Sequence, residues 1–132
     1  MDSAFAPLPR RTEQIARGVI DAALSVHRTL GPGPLESAYE ACLAYELERR
    51  GHAVMKQVPM PVVYESVKLD AGYRIDLIID NEVIVEVKSV DALAPVHEAQ
   101  LLTYLRLSGR RLGFLVNFNV ALLKEGIKRR IL

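Results

Sequence analysis

The sequence predicts an α/β domain in which helices cover both faces of a mixed sheet. Apolar residues recur at helical spacing before residue 51 and then follow strand patterns between residues 54 and 90. A further helical stretch and one strongly apolar strand complete the order. The 132 residues, half of them apolar and a quarter charged, suffice for one domain with its own core.

Two helices are predicted at the start of the domain. Thr12 is placed to cap the first helix, and the Gly31-Pro32-Gly33-Pro34 segment ends it. A second helix is expected from about residue 35 to residue 50, with Gly51 ending it. Its expected inward-facing residues, which include the single cysteine, are Leu35, Tyr39, Cys42, Leu43 and Leu47.

Strands are predicted over residues 54–58, 62–69, 73–79 and 83–90. Pro95 is expected to begin a helix that reaches residue 107, with Gly109 beyond it. Residues 111–118 form a strongly apolar stretch that is typical of a central, buried strand. The remaining residues to Leu132 are expected to add a short helix and an edge strand.

Composition limits the class of protein. No apolar run approaches the roughly 20 residues of a membrane span, so no membrane partner is expected. One cysteine excludes an internal disulfide and favours a reducing, cytoplasmic location. Residues 1–11, with two prolines, are expected to be a flexible segment before a single domain of residues 12–132. A net charge of +1 does not by itself indicate nucleic-acid binding.

The most informative residues lie on the two predicted strands around the segment 80–82. Alternation places Arg74 and Asp76 on one face of their strand, and Glu86 and Lys88 on one face of the next. If residues 80–82 form a three-residue hairpin loop, Asp76 lies directly opposite Glu86. A two-residue loop would shift the register by one and place Asp76 opposite a valine.

Such a pair of acids needs compensation, because two charges about 5 Å apart repel by about 3 kcal/mol at an effective dielectric near 20. A divalent cation with oxygen ligands would provide it. A lattice of salt bridges, with Arg74 and Lys88 neutralising the acids diagonally, is the alternative. The apolar residues expected to bury the opposite face favour a functional reason, because they indicate covered strands. These residues are Val83, Val85, Val87, Ile75, Leu77 and Ile79.

The helix predicted from Pro95 adds further polar residues. Gln100 and Tyr104 stand four residues apart and point the same way, although each alone is typical of an ordinary helix surface. His97, one turn before Gln100, is within reach of the same place. The other two histidines show no metal-binding spacing.

Asp76, a spacer of nine residues and then Glu86-Val87-Lys88 resemble the signature of the PD-(D/E)xK nuclease superfamily. Gln100 and Tyr104 are similar to the helix motif of its RecB-like members. The segment from Gly33 to Tyr39 resembles the namesake motif of the GxxExxY protein family. Further blocks that resemble this family are residues 27–33, 72–76, 95–97, 99–105 and 117–119.

The resemblance implies a restriction-endonuclease-like fold and a metal-dependent nuclease acting on DNA or RNA. It implies Mg²⁺ or Mn²⁺ as cofactor, because these ions suit an all-oxygen ligand set. The implied metal ligands are Glu36, Asp76, Glu86 and the backbone carbonyl of Val87. The small chain would act as a homodimer or with a partner protein.

The same resemblance implies roles for the remaining polar residues. Lys88 would orient the attacking water or stabilise charge on the phosphate. Gln100 and Tyr104 would position water or the phosphate backbone, and Arg74 and His97 would bind substrate. A non-catalytic module that binds nucleic acid or protein on a nuclease-like fold is the alternative, because folds outlast their chemistries.

Overall fold

The computed structural model describes residues 6–132, which form three helices and seven strands. The helices are α1 (Arg10–Leu30), α2 (Glu36–Arg49) and α3 (Pro95–Ser108). The strands are β1 (Val54–Pro59), β2 (Val62–Tyr64), β3 (Val67–Leu69), β4 (Arg74–Ile79), β5 (Val83–Lys88), β6 (Leu112–Asn117) and β7 (Ile127–Ile131). A short 3₁₀ helix, Leu123–Glu125, precedes β7. No helix within this described range is long and apolar enough to cross a membrane.

Five strands form the central sheet in the order β1-β4-β5-β6-β7. The β5–β6 pair is parallel and the other pairs are antiparallel, so the sheet is mixed. Helices α1 and α2 pack on one face and α3 packs on the other, each over its own apolar cluster. The predicted fold class is therefore confirmed. The predicted central strand, β6, is buried at all six positions, and β7 is the expected edge strand.

The inward face of α2 differs from the prediction. Its buried residues are Tyr39, Leu43, Ala44 and Leu47, whereas Leu35 and Cys42 are exposed. Leu35 precedes the first helical residue and so lies outside the packed face. At 100° per residue, Cys42 lies roughly 120° around the helix from the centre of the buried stripe.

The predicted cap of α1 is also wrong. The helix begins at Arg10, directly after Pro9, and Thr12 is therefore inside it. The buried Thr12 hydroxyl instead donates to Glu82 Oε1 at 2.9 Å, which ties α1 to the loop between β4 and β5. Of the predicted flexible segment, residues 1–5 lie outside the described residues, and the last two residues belong to α1.

Residues 62–69 were predicted as one strand, and this prediction is wrong. They form β2 and β3, an antiparallel hairpin that is separate from the main sheet. The two turn residues, Glu65 and Ser66, have φ values of 47° and 70°. A two-residue turn with two positive φ angles usually carries Asn-Gly. The Glu-Ser pair gives no such signal in the sequence.

The loop between β4 and β5 has three residues, as the functional argument required. Pairing of Leu77 with Val85 fixes the register. Asp80 anchors this loop, since its carboxylate accepts hydrogen bonds from Ala53 N–H at 2.8 Å and His52 Nδ1 at 2.6 Å. Burial raises the pKa of Asp80, but these hydrogen bonds outweigh it and leave the pKa below its ordinary value.

Candidate active site

The two strand acids meet where β4 and β5 diverge. The regular pairing ends at Leu77 and Val85. Beyond that pair, Asp76 N–H donates to Glu86 Oε2 at 2.7 Å, and Val87 N–H donates to Asp76 Oδ2 at 2.8 Å. Each carboxylate thus accepts a hydrogen bond from a backbone N–H that would bond to a backbone carbonyl if the β4–β5 pairing continued. Both acids are fixed side by side at the opening between the strands.

The strand geometry changes at Asp76. The prediction placed Ile75 on the same face as Leu77, and this is wrong, because Ile75 packs in the cluster under α3 while Leu77 packs under α1 and α2. The β1–β4 register passes from Lys56–Leu77 to Val58–Ile75 and skips the position between them. The residue skipped in β1 has a φ of 49°. This break in alternation directs Asp76 towards the opening.

Glu86 is the most deeply buried acid of the site, with 3% of its surface exposed. Burial raises its pKa to about 8, and the charge of Asp76 adds to the rise. The hydrogen bond from the Asp76 backbone and the charge of Lys88 act in the opposite direction. Near neutral pH Glu86 is therefore largely protonated unless a further positive charge enters the site.

Glu40, which the sequence argument missed, is the third acid. It lies on α2 one turn after Glu36, and the amide of Gln57 links it to Asp76. Burial raises the pKa of Glu40, and the charges of Asp76 and Glu36 raise it further. The predicted Glu36 is the exposed first residue of α2 and makes no hydrogen bond to the linked acids in the described part of the chain. The available signal was the spacing of four residues, which puts both glutamates on one face.

Lys88 and Arg74 do not form the salt lattice that was the alternative to a cation site. Neither side chain makes an ion pair within 4 Å in the described part of the chain, although the charge of Lys88 lowers the pKa of Glu86. Lys88 is half-buried at the end of β5, and Arg74 is exposed at the start of β4. Both cations are therefore placed near the acids without being neutralised by them.

Asn117 supports the end of β5 and was not singled out from the sequence. It is 2% exposed and pairs with Lys88 across the parallel strands. Its amide accepts from Val90 N–H at 3.1 Å and donates to Val90 C=O at 2.9 Å. Its neighbour Phe118 donates its N–H to Lys88 C=O at 3.0 Å. The signal was an asparagine in an otherwise apolar strand.

Tyr39, the last residue of the segment from Gly33 to Tyr39, is a core residue. Tyr39 is fully buried and stacks on Phe118, with ring centroids 4.6 Å apart. Its hydroxyl donates to Gly31 C=O, and Ser89 donates to Pro34 C=O at 3.0 Å. These contacts hold the loop before α2 against the end of β5, which places the acidic turn of α2 beside the strand acids.

Tyr104 from α3 closes the opposite side. It is 2% exposed and meets Tyr73 edge-on, with ring centroids 5.8 Å apart. Burial raises the pKa of its hydroxyl, and the charges of Glu86 and Asp76 contribute to the rise. The hydroxyl therefore lies in the electric field of the two acids.

Gln100 and His97 line a cavity of about 450 Å³ that Tyr73 also borders. His97 Nδ1 accepts a hydrogen bond from Ala94 N–H at 3.0 Å, so this atom caps α3. Both residues are half-buried one and two turns before Tyr104. Neither Gln100 nor His97 makes a hydrogen bond to the acids within residues 6–132, and no acid lines their cavity.

The described residues contain no preformed group of three metal ligands. Among the residues described, no three His, Cys, Asp or Glu side chains are grouped so that they could hold a metal ion. Asp76 and Glu86 interlock directly, and Glu40 is linked to Asp76 by the Gln57 amide and by the interaction of the two side chains, which raises the pKa of Glu40. Val87 contributes its N–H to Asp76, and the role of its carbonyl stays a prediction.

Comparison with protein families gives a match to the PD-(D/E)XK nuclease superfamily over residues 13–130. The matched range contains every residue of the site described above. Comparisons with curated proteins and with solved structures give no significant match. The mixed sheet between helices agrees with the restriction-endonuclease-like fold. The narrower resemblance to the GxxExxY family stays a prediction.

Proposed function

Because the chain belongs to the PD-(D/E)XK nuclease superfamily, we propose that it is a metal-dependent nuclease that hydrolyses phosphodiester bonds of DNA or RNA. The observation that carries the proposal is the interlocked pair of Asp76 and Glu86, with Lys88 two residues farther along β5. Two acids and one ammonium group thus converge at the opening between two strands.

The donor set fits Mg²⁺ or Mn²⁺. Asp76 and Glu86 would hold the ion together with the Val87 carbonyl, and α2 would add Glu40 or Glu36. The fit rests on the chemistry of the donors, which are all oxygens, and on the environment of Glu86, whose pKa is raised to about 8 by burial and by the charge of Asp76. A bound cation would offset both effects. When bound, the ion would polarise a phosphoryl oxygen and lower the pKa of the attacking water.

The other residues would bind and orient the substrate. Lys88 is unpaired in the described structure, so its ammonium group is available to orient water or to stabilise charge developing on the phosphate. The exposed Arg74 would bind a phosphate oxygen. Tyr104 lies in the electric field of the acids, and Gln100 and His97 line a cavity beside Tyr73, which contacts Tyr104. All three would position the phosphate backbone or water.

A second candidate function is a non-catalytic module that binds nucleic acid or protein. The observation that favours it is the lack of a preformed three-ligand group within residues 6–132. A nuclease fold that has lost its metal would keep its architecture and its surface.

A cleavage screen with Mn²⁺ over single-stranded, duplex and branched nucleic acids tests the proposal. We expect cleavage that EDTA abolishes, that Lys88→Ala removes, and that Lys124→Ala leaves intact. Lys124 is a suitable control because it is an exposed lysine on the short 3₁₀ helix. Activity that persists in Lys88→Ala would contradict the proposed site. Metal binding without any cleavage would favour the second candidate.

We also propose self-association or a partner protein, because a chain of net charge +1 has little excess positive charge with which to bind a nucleic acid. Its single cysteine is compatible with a reducing compartment such as the cytoplasm. Sedimentation velocity of the purified chain, with and without a nucleic acid, distinguishes monomer from dimer.

A further inference from the structure

The amide of Gln57 occupies an unusual position among the acids. Its Nε2 lies 3.0 Å from Glu40 Oε1, 3.0 Å from Glu40 Oε2 and 3.3 Å from Asp76 Oδ1. An amide nitrogen has only two hydrogens to share among these three carboxylate oxygens. The reverse orientation would place the amide oxygen against the same oxygens and is electrostatically unfavourable. The nitrogen therefore takes the place of a positive group.

The backbone at Gln57 is adapted to this position. Its φ of 49° lies in the left-handed region that a non-glycine residue rarely adopts, and regular β1–β4 pairing skips this residue. The side chain is exposed at the sheet edge, so it is able to move into solvent without disturbing the core. Residues held in rare backbone conformations cluster at functional sites.

We propose that Gln57 competes with the metal ion for the active site. In the metal-free protein its amide holds Glu40 and Asp76 together, and it must leave before both acids are able to bind a cation. The nitrogen is equidistant from the two oxygens of Glu40, which is the place of a cation bound by both oxygens of one carboxylate. This inference rests on the proposed function, because it describes how the same site is controlled.

Competition and a purely supporting role predict opposite changes in metal affinity when the Gln57 side chain is removed. If Gln57 only positioned the two acids, its removal would weaken metal binding because the acids would lose their alignment. If Gln57 competes, its removal strengthens metal binding, since the ion no longer displaces hydrogen bonds to charged acceptors. The same removal destabilises the metal-free protein, because the repulsion between Glu40 and Asp76 loses its compensation.

Titration calorimetry with Mn²⁺ on the full chain, without nucleic acid, tests whether removing Gln57 strengthens or weakens metal binding. We expect Gln57→Ala to lower the Kd about tenfold, the order expected when a competing hydrogen bond to a charged acceptor is lost. Gln14→Ala, at an exposed glutamine on α1, should leave the Kd unchanged. In EDTA, Gln57→Ala should melt at a lower temperature than the wild type.

A second variant, Gln57→Asn, covers the case in which Gln57→Ala does not fold. Asparagine tolerates a positive φ, and its shorter amide does not span to Glu40, so the same tightening is expected. An unchanged or weaker affinity in the folded variants, with Mn²⁺ binding retained in the wild type, overturns the competition alone. No binding in the wild type or in either Gln57 variant overturns the metal site and the competition together.

Discussion

At the scale of single residues, Glu86 connects the site to the stability of the fold. Burial and Asp76 raise its pKa from 4.5 to about 8, so the folded chain holds this proton more tightly than the unfolded chain does. In the metal-free protein this contribution to stability is fully present below about pH 4.5 and is lost as the pH rises through 8. The free energy of unfolding should therefore decrease between these values.

Thermal melts in EDTA over this pH range check the expectation. Wild-type protein should melt at progressively lower temperature as the pH rises. Glu86→Gln should show a clearly smaller slope, because its amide does not ionise and only the raised pKa of Glu40 still contributes. The exposed Glu36 provides a matched control, and Glu36→Gln should retain the wild-type slope. A flat profile in the wild type would contradict a raised pKa of Glu86 in the folded protein.

Sequence reasoning at this scale succeeded where the contact is local. The juxtaposition of Asp76 and Glu86 follows from the three-residue loop, which sets the register and is readable from the chain, whereas the break in alternation at Asp76 is not. Glu40 and Gln57 were out of reach, since their contact depends on how α2 docks beside β1 and on a positive φ at a glutamine. Long-range docking and rare backbone angles leave no periodic signal.

At the scale of elements, a chain of contacts joins α1 to the β4–β5 loop. Asp80 in the loop holds His52, and the ring of His52 lies against Gly18 in the middle of α1. A Cβ atom added at Gly18 would be 2.6 Å from His52 Nε2. The glycine therefore permits a close approach that any larger residue would prevent.

We expect Gly18→Ala to destabilise the protein, although alanine favours a helix interior by about 1 kcal/mol over glycine. The clash outweighs the propensity because the hydrogen bond to Asp80 restrains the His52 ring. Chemical denaturation measures the change in the free energy of unfolding. In a His52→Ala background, where the clash is absent, Gly18→Ala should be stabilising. A gain of stability in the wild-type background would refute the packing argument.

Elements were predictable where their patterns were strong. The helix beginning at Pro95 and the apolar strand before Phe118 were located correctly to within a residue or two at each end. The β2–β3 hairpin was missed because its turn lacks glycine and asparagine. Cys42 was predicted to face inward because an apolar residue next to the buried face of a helix has the same composition signal as a residue on that face. The hairpin depends on positive φ angles at Glu65 and Ser66, and the position of Cys42 depends on how α2 packs, neither of which is visible in hydrophobic periodicity.

At the scale of the whole molecule, the order of elements was sufficient to predict a mixed sheet between helices. It was not sufficient to predict that three elements, β4, β5 and α2, would each bring an acid to one opening. Because these elements belong to one folded unit, a cation bound between them should stabilise the native state and not the unfolded chain. Metal binding is then measurable as global stability, independently of any cleavage.

We expect Mn²⁺ at a hundredfold excess over its Kd to raise the melting temperature on the order of 10 °C, from about 2.7 kcal/mol of binding free energy. Asp76→Ala should abolish this shift, because it removes one of the two interlocked acids, whereas Asp21→Ala at an exposed site on α1 should preserve it. Melting curves with Mn²⁺ and with EDTA give the comparison for all three proteins. Equal shifts in the wild type and in Asp76→Ala would place metal binding elsewhere and remove the basis for hydrolysis at this site.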